Sequence, residues 1–151
     1  MIKKIHLYWH TIRYLRVSQI YARLKHNILF PAIDYSQAPE LRPAKKVWVE
    51  PLKSQPSLVS PYTFKFLNYE NSLKKLGWDS PYVDKLWRYN QHYFDDLNAH
   101  RAGFRNSWHQ DLIRTWVQDN PPARGVGWDS YPISLRVVNW IKWSLGGGRL
   151  T

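Results

Sequence analysis

The sequence contains no cysteine, which excludes a disulfide framework, thiolate-ligated zinc and a thiol nucleophile. No run of about 20 apolar residues occurs, so no segment reads as membrane-spanning. The start, MIKKIHLYWHTIRYLRVSQIYARLKHNILF, also lacks the apolar stretch and small-residue cleavage site of a secretory signal. As written, the chain reads as cytoplasmic. Histidine and carboxylate spacings of the HxH, HExxH and EF-hand types are missing, as are GxSxG, P-loop and GxGxxG motifs. Neither a metal nor a cofactor is expected. Acidic residues are scarce, and the first is Asp34.

The residues present define a different chemistry. Lys and Arg total 22 against 11 acids, a net charge of +11 in 151 residues. Aromatic residues reach 16%, with 9 Trp and 10 Tyr. The 44% hydrophobic content is that of a folded chain and argues against wholesale disorder. A basic, aromatic-rich surface suits a polyanion: nucleic acid, anionic lipid or acidic polysaccharide.

The chain divides by composition. Residues 2–29 have neither Pro nor Gly and read as a basic helix. Ile5, Trp9 and Ile12 share one face, continued after a drift by Ile20, Leu24 and Ile28. Lys3, Lys4, Arg13, Arg16, Arg23 and Lys25 supply its charge. Such a helix either docks its apolar side on the rest of the protein or lies on a polyanion or anionic lipid. Residues 31–61 hold six of the ten prolines and read as a linker, with a short strand at Lys46–Glu50. Tyr62–Tyr69 alternates as a strand, and a turn at Asn71-Ser72 predicts a second strand over Leu73–Leu76.

Beyond Lys85 the period becomes helical. One helix runs from Asn106 or Ser107 to about Gln118, stopped by Asn120-Pro121-Pro122. A last helix begins near Ser130, carries Pro132 in its first turn and ends at Gly146-Gly147-Gly148. The tetrapeptide GWDS occurs at Gly77–Ser80 and Gly127–Ser130, but its flanks do not repeat and it reads as shared turn chemistry.

The last helix segregates its side chains. Arg136, Asn139, Trp140 and Trp143 fall on one face; Val137, Val138, Ile141 and Leu145 fall on another. Indole faces beside guanidinium and amide donors suit a sugar carrying a carboxylate or sulfate. The same pattern also suits a bundle helix whose indole edges simply pack. His92, in the polar-aromatic run Arg88–Tyr93, is a candidate to line a cleft. His109 reads as a satisfied core residue among Trp108, Leu112, Ile113 and Trp116.

The stretches LWRYNQHYFDDLNA (Leu86–Ala99) and NPPARGVGWDSYPISLRVVNWIKW (Asn120–Trp143), with RVSQIYARL at Arg16–Leu24, resemble the N-terminal region of bacterial heparinase II/III-like polysaccharide lyases. The resemblance implies a mainly α fold: the start of an incomplete α/α toroid, here preceded by the basic helix and a small β-hairpin. It implies β-elimination on uronic-acid polysaccharides in members that are commonly periplasmic or secreted. The family's carboxylate-handling Asn motif and its catalytic Tyr and His have no counterpart here, so no catalytic residue is assigned. Substrate contacts are expected at His92, Tyr131, Arg136, Asn139, Trp140 and Trp143. The partner expected is an acidic polysaccharide, with no nucleic acid and with self-association through unpaired toroid helix faces. The competing reading is a stand-alone basic module for nucleic acid or an anionic membrane.

Overall fold

The computed structural model describes residues 8–28, 34–37, 39–40, 42 and 46–150. The chain forms two compact units, Met1–Ala38 and Pro39–Thr151. The described residues are mainly helical, with one small antiparallel sheet.

The first unit corrects the single long helix expected over 2–29, of which 2–7 and 29 lie outside the described residues. A helical turn over 8–12 ends in tight bonds from Tyr14 N to Thr11 O and from Leu15 N to Ile12 O. The chain restarts as α1, Val17–Ile28. Gln19 Oε1 accepts the Arg16 amide at 2.9 Å, the backward reach of a capping side chain three residues into a helix. The drift between the two apolar faces in the sequence is therefore a real break in the helix.

The second unit opens with an irregular segment. Residues 46–50 form no strand, which corrects the strand expected at Lys46–Glu50. Strand β1, Leu58–Ser60, instead lies inside the proline-rich stretch. It pairs with β2, Thr63–Phe66, which pairs with β3, Tyr69–Ser72, in register Phe66↔Tyr69. The β2–β3 hairpin turns at Leu67 and Asn68, both at positive φ. That primed geometry matches the twist of the flanking strands, and Asn tolerates it better than most residues. Asn71 and Ser72 therefore belong to a strand rather than a turn. Leu73–Leu76 forms the helical turn α2, not a second strand.

Helix α3, Lys85–Gln91, starts at Asp84, whose carboxylate accepts the Leu86 amide at 2.8 Å. Two 3₁₀ turns, Asp95–Asn98 and Ala102–Arg105, lead into α4, Asn106–Asp119. A third, Val126–Trp128, leads into α5, Ser130–Leu145. The core gathers Leu58 and Phe64 of the sheet, Trp78, Trp87 of α3, Phe94, Leu97, and Leu112, Ile113 and Trp116 of α4.

Helix α5 packs in the reverse of the usual sense. Its Arg136 and Asn139 are buried, whereas Val137, Val138, Ile141 and Leu145 are exposed. The two faces are those visible in the sequence, but the indole and amide face is the inner one. We therefore expect Ile141→Ser to change stability by less than about 0.5 kcal/mol, while Trp116→Ala lowers it by about 3–5 kcal/mol. Urea unfolding midpoints of the two variants check this, and equal losses would show the aliphatic stripe to be interior.

Candidate binding cleft

Arg136 organises the centre of the second unit. It is 3% exposed, and its guanidinium donates to Gly127 O at 2.7 Å. The guanidinium carbon lies 3.8 Å from the ring centre of Trp116, 5.4 Å from Trp128 and 5.9 Å from Trp140. Three indoles thus surround one buried cation, an arrangement favoured by the negative π face and by the weak hydration of guanidinium. Burial pushes its pKa down to about 10, and it stays charged at neutral pH.

His92 completes this centre and does not line a cleft. Its ring is fully buried; Nε2 donates to Trp78 O at 3.1 Å and Nδ1 accepts from Trp116 Nε1 at 2.9 Å. Both nitrogens are committed in the neutral tautomer. Burial, reinforced by the Arg136 charge, lowers its pKa to about 4. Asn139 is likewise internal, donating to Tyr93 O at 2.9 Å and to Asp95 Oδ1 at 2.5 Å. Trp140 packs edge-on against Phe94 and Trp116. Tyr131 is exposed and meets Tyr93 edge to face. Arg136, Asn139 and His92 therefore hold the fold together from within, correcting the solvent-facing surface expected from the sequence.

A second polar centre forms at Asp96. Its Oδ1 accepts the amides of Ser57 and Leu58 at 2.7 and 3.0 Å; its Oδ2 accepts Arg105 Nε and His109 Nε2, both at 2.7 Å. Burial alone would raise this carboxyl. The bonds from His109, Arg105 and the two amides outweigh burial and hold it at about 2. His109 is thus a satisfied buried residue, as its apolar helix face suggests.

Beside this centre opens a cleft of about 490 Å³, lined by residues drawn from three segments, 48–53, 97–109 and 142–148. Three local structures shape it. Ser54 bridges to Ala99, with His100 N donating to Ser54 O at 2.9 Å, and this ties the irregular segment to the 3₁₀ turns. Arg101 enters the second of those turns at φ +55°, a conformation that costs a non-glycine residue on the order of 1 kcal/mol. Helix α5 ends in a Schellman turn: Gly147 N donates to Ser144 O, and Gly148 N to Trp143 O. Gly147 takes the positive φ that this turn demands. A Cβ on Gly148 would fall 2.2 Å from the Trp143 ring, so only glycine lets the chain cross that indole.

Of the six contacts expected from the sequence, the cleft includes Trp143 alone. It adds Trp48, three cations (Lys53, Arg101, Lys142), the amides of Asn98 and Asn106, and one carboxylate, Glu50, paired with Lys53 at 2.8 Å. Part of Asn98 is committed, its amide donating to Asn139 O at 3.1 Å. No family model matches the chain, nor does any curated protein or solved structure. The site thus stands on its own chemistry. Cationic and amide donors beside two indoles can hold an anionic ring compound by stacking and charge-assisted hydrogen bonds. Among the described residues no group of histidine and carboxylate side chains has the arrangement to hold a metal ion.

The buried titrating groups set the pH response. On acidification the unfolded chain protonates its His92 near pH 6.5, whereas the folded chain resists until about 4. The unfolded state binds the extra proton across that window, so stability falls as pH drops from 6.5 to 4, by about 3 kcal/mol at most. Asp96 adds a further loss as pH falls from its ordinary 3.8 toward 2. Urea midpoints measured from pH 8 to pH 3 should show both slopes, and His92→Gln should abolish only the upper one. A native midpoint constant between 6.5 and 4 would contradict the buried neutral imidazole.

Proposed function

We propose that the Pro39–Thr151 unit binds an acidic polysaccharide in the Trp48–Trp143 cleft, as the substrate-contacting N-terminal portion of a uronate-cleaving lyase with a toroid fold. The observation that carries this reading is the pairing of two indoles with three cations against a single carboxylate in one cleft. Pyranose C–H faces stack on indoles, and the uronate carboxylates meet Lys53, Arg101 and Lys142. Asn106 adds a neutral donor for hydroxyl groups. The resemblance of Leu86–Ala99 and Asn120–Trp143 to heparinase II/III-like lyases supports the substrate class and the β-elimination chemistry of the whole assembly. The reacting groups of that chemistry are not assigned to this chain, so the unit's part is binding.

Titration calorimetry with an oligouronate and a neutral oligoglucan tests the reading. The oligouronate should bind in preference, with affinity falling as salt rises. Arg101→Gln and Lys142→Gln should each weaken binding roughly tenfold, as loss of one charge-assisted bond worth about 1.5 kcal/mol requires. Trp48→Ala should weaken it about as much, with little change in unfolding midpoint because that indole is partly exposed. The chain alone should release no unsaturated uronate. Equal binding of the neutral and acidic sugars, or binding indifferent to both cation variants, would refute the proposal.

A further inference from the structure

The first unit carries a second surface with a different chemistry. On α1, Val17, Ile20, Tyr21 and Leu24 recur at the three- and four-residue spacing that aligns side chains along one helix face. Val17 is 82%, Tyr21 65% and Leu24 55% exposed. Tyr8, Trp9, Ile12 and Tyr14 are exposed in the preceding turns. Projected at 3.6 residues per turn, Arg23 falls along one edge of the α1 stripe and Lys25 along the other, and Arg16 immediately precedes the helix. Asp and Glu are absent from the first 33 residues, where Lys3 and Lys4 add to the charge.

We propose that this segment lies in the surface of an anionic lipid bilayer, its apolar stripe among the acyl chains and its cations at the headgroups. This goes beyond glycan binding and involves none of the cleft residues. A bare polyanion, whether uronate chain or nucleic acid, would neutralise the cations but offer the aliphatic stripe no apolar host. A second copy of the helix would set like charges against each other at both edges. A bilayer interface satisfies both halves: it takes Val17, Ile20 and Leu24 into hydrocarbon, lets Arg and Lys stems run outward, and places Trp and Tyr at the headgroup level. The α1 helix has 12 residues, too short to cross the roughly 30 Å hydrocarbon layer. No helix of the described residues is long and apolar enough to span it.

The experiment is flotation of the full chain with phosphatidylcholine vesicles, with and without phosphatidylglycerol. Two variants keep helix propensity by using Gln: one replaces Val17, Tyr21 and Leu24, the other Arg16, Arg23 and Lys25. The native chain should float with the anionic vesicles and partition at least about tenfold less onto neutral ones. Each triple variant should lose at least about tenfold on the anionic vesicles, while its oligouronate affinity stays that of the native chain. Three results would overturn the proposal: equal partitioning on both vesicles, no flotation with either, or undiminished flotation of the Val17/Tyr21/Leu24 variant. The last would show a purely electrostatic polyanion site.

Discussion

A buried cation that has indoles rather than a carboxylate around it sets the terms for the second unit. Arg136 sits among Trp116, Trp128 and Trp140, and its guanidinium donates a hydrogen bond to the Gly127 carbonyl. An unpaired charge in an apolar interior is costly unless its surroundings compensate it. Here compensation comes from π faces, so those rings must stay in place. Trp116 in turn donates to His92, and His92 to the Trp78 carbonyl. The imidazole must remain neutral, because a second cation beside Arg136 would undo what the rings provide. One guanidinium thereby fixes the relative positions of α3, α4, α5 and the loop that carries Trp78.

The two GWDS segments converge on the same region, which gives their recurrence a spatial sense. Asp79 of the first accepts Arg88 Nη1 at 2.6 Å and the Val126 amide at 3.2 Å. Asp129 of the second accepts the Tyr89 hydroxyl and pairs with Lys85 at 3.2 Å. Each aspartate therefore holds helix α3, while Trp78 stacks on His92 and Trp128 packs on Trp116. Asp96 does comparable work for other elements. It joins β1 to a 3₁₀ turn and to α4, and this sets the wall of the cleft that His109 lines.

Element extents are legible in the sequence wherever chain chemistry punctuates them. Asn120-Pro121-Pro122 and Gly146–Gly148 close α4 and α5 where they are read to close. The hairpin turn is misread because Asn71-Ser72 carries stronger turn chemistry than Leu67-Asn68, yet pairing of Phe64 and Phe66 with the core sets the register. The orientation of α5 is illegible for a physical reason. Period analysis separates two faces but does not rank an indole-rich face holding Arg against an aliphatic one, and the cation–indole cage that reverses the ranking involves Trp116 and Trp128 from elsewhere. The cleft is hidden because three distant segments build it. Its one local signal is the glycine run, which reads as a helix end and is also a close approach of backbone to an indole.

Four of the polar ties described above span similar distances along the chain. Ser57 and Leu58 meet Asp96 across 39 and 38 residues, Asn98 meets Asn139 across 41, and Asn139 meets Tyr93 across 46. Closing loops of such length costs entropy before any contact repays it, and the cost grows only slowly with loop size. None of these ties is therefore favoured to form alone, and they gain by forming together. During synthesis the order is stricter. Tyr93 and Asn98 find their partner Asn139, and the ring of Trp116 its cation Arg136, only on α5, so these contacts at the centre of the unit wait until α5 has been made and has left the ribosome.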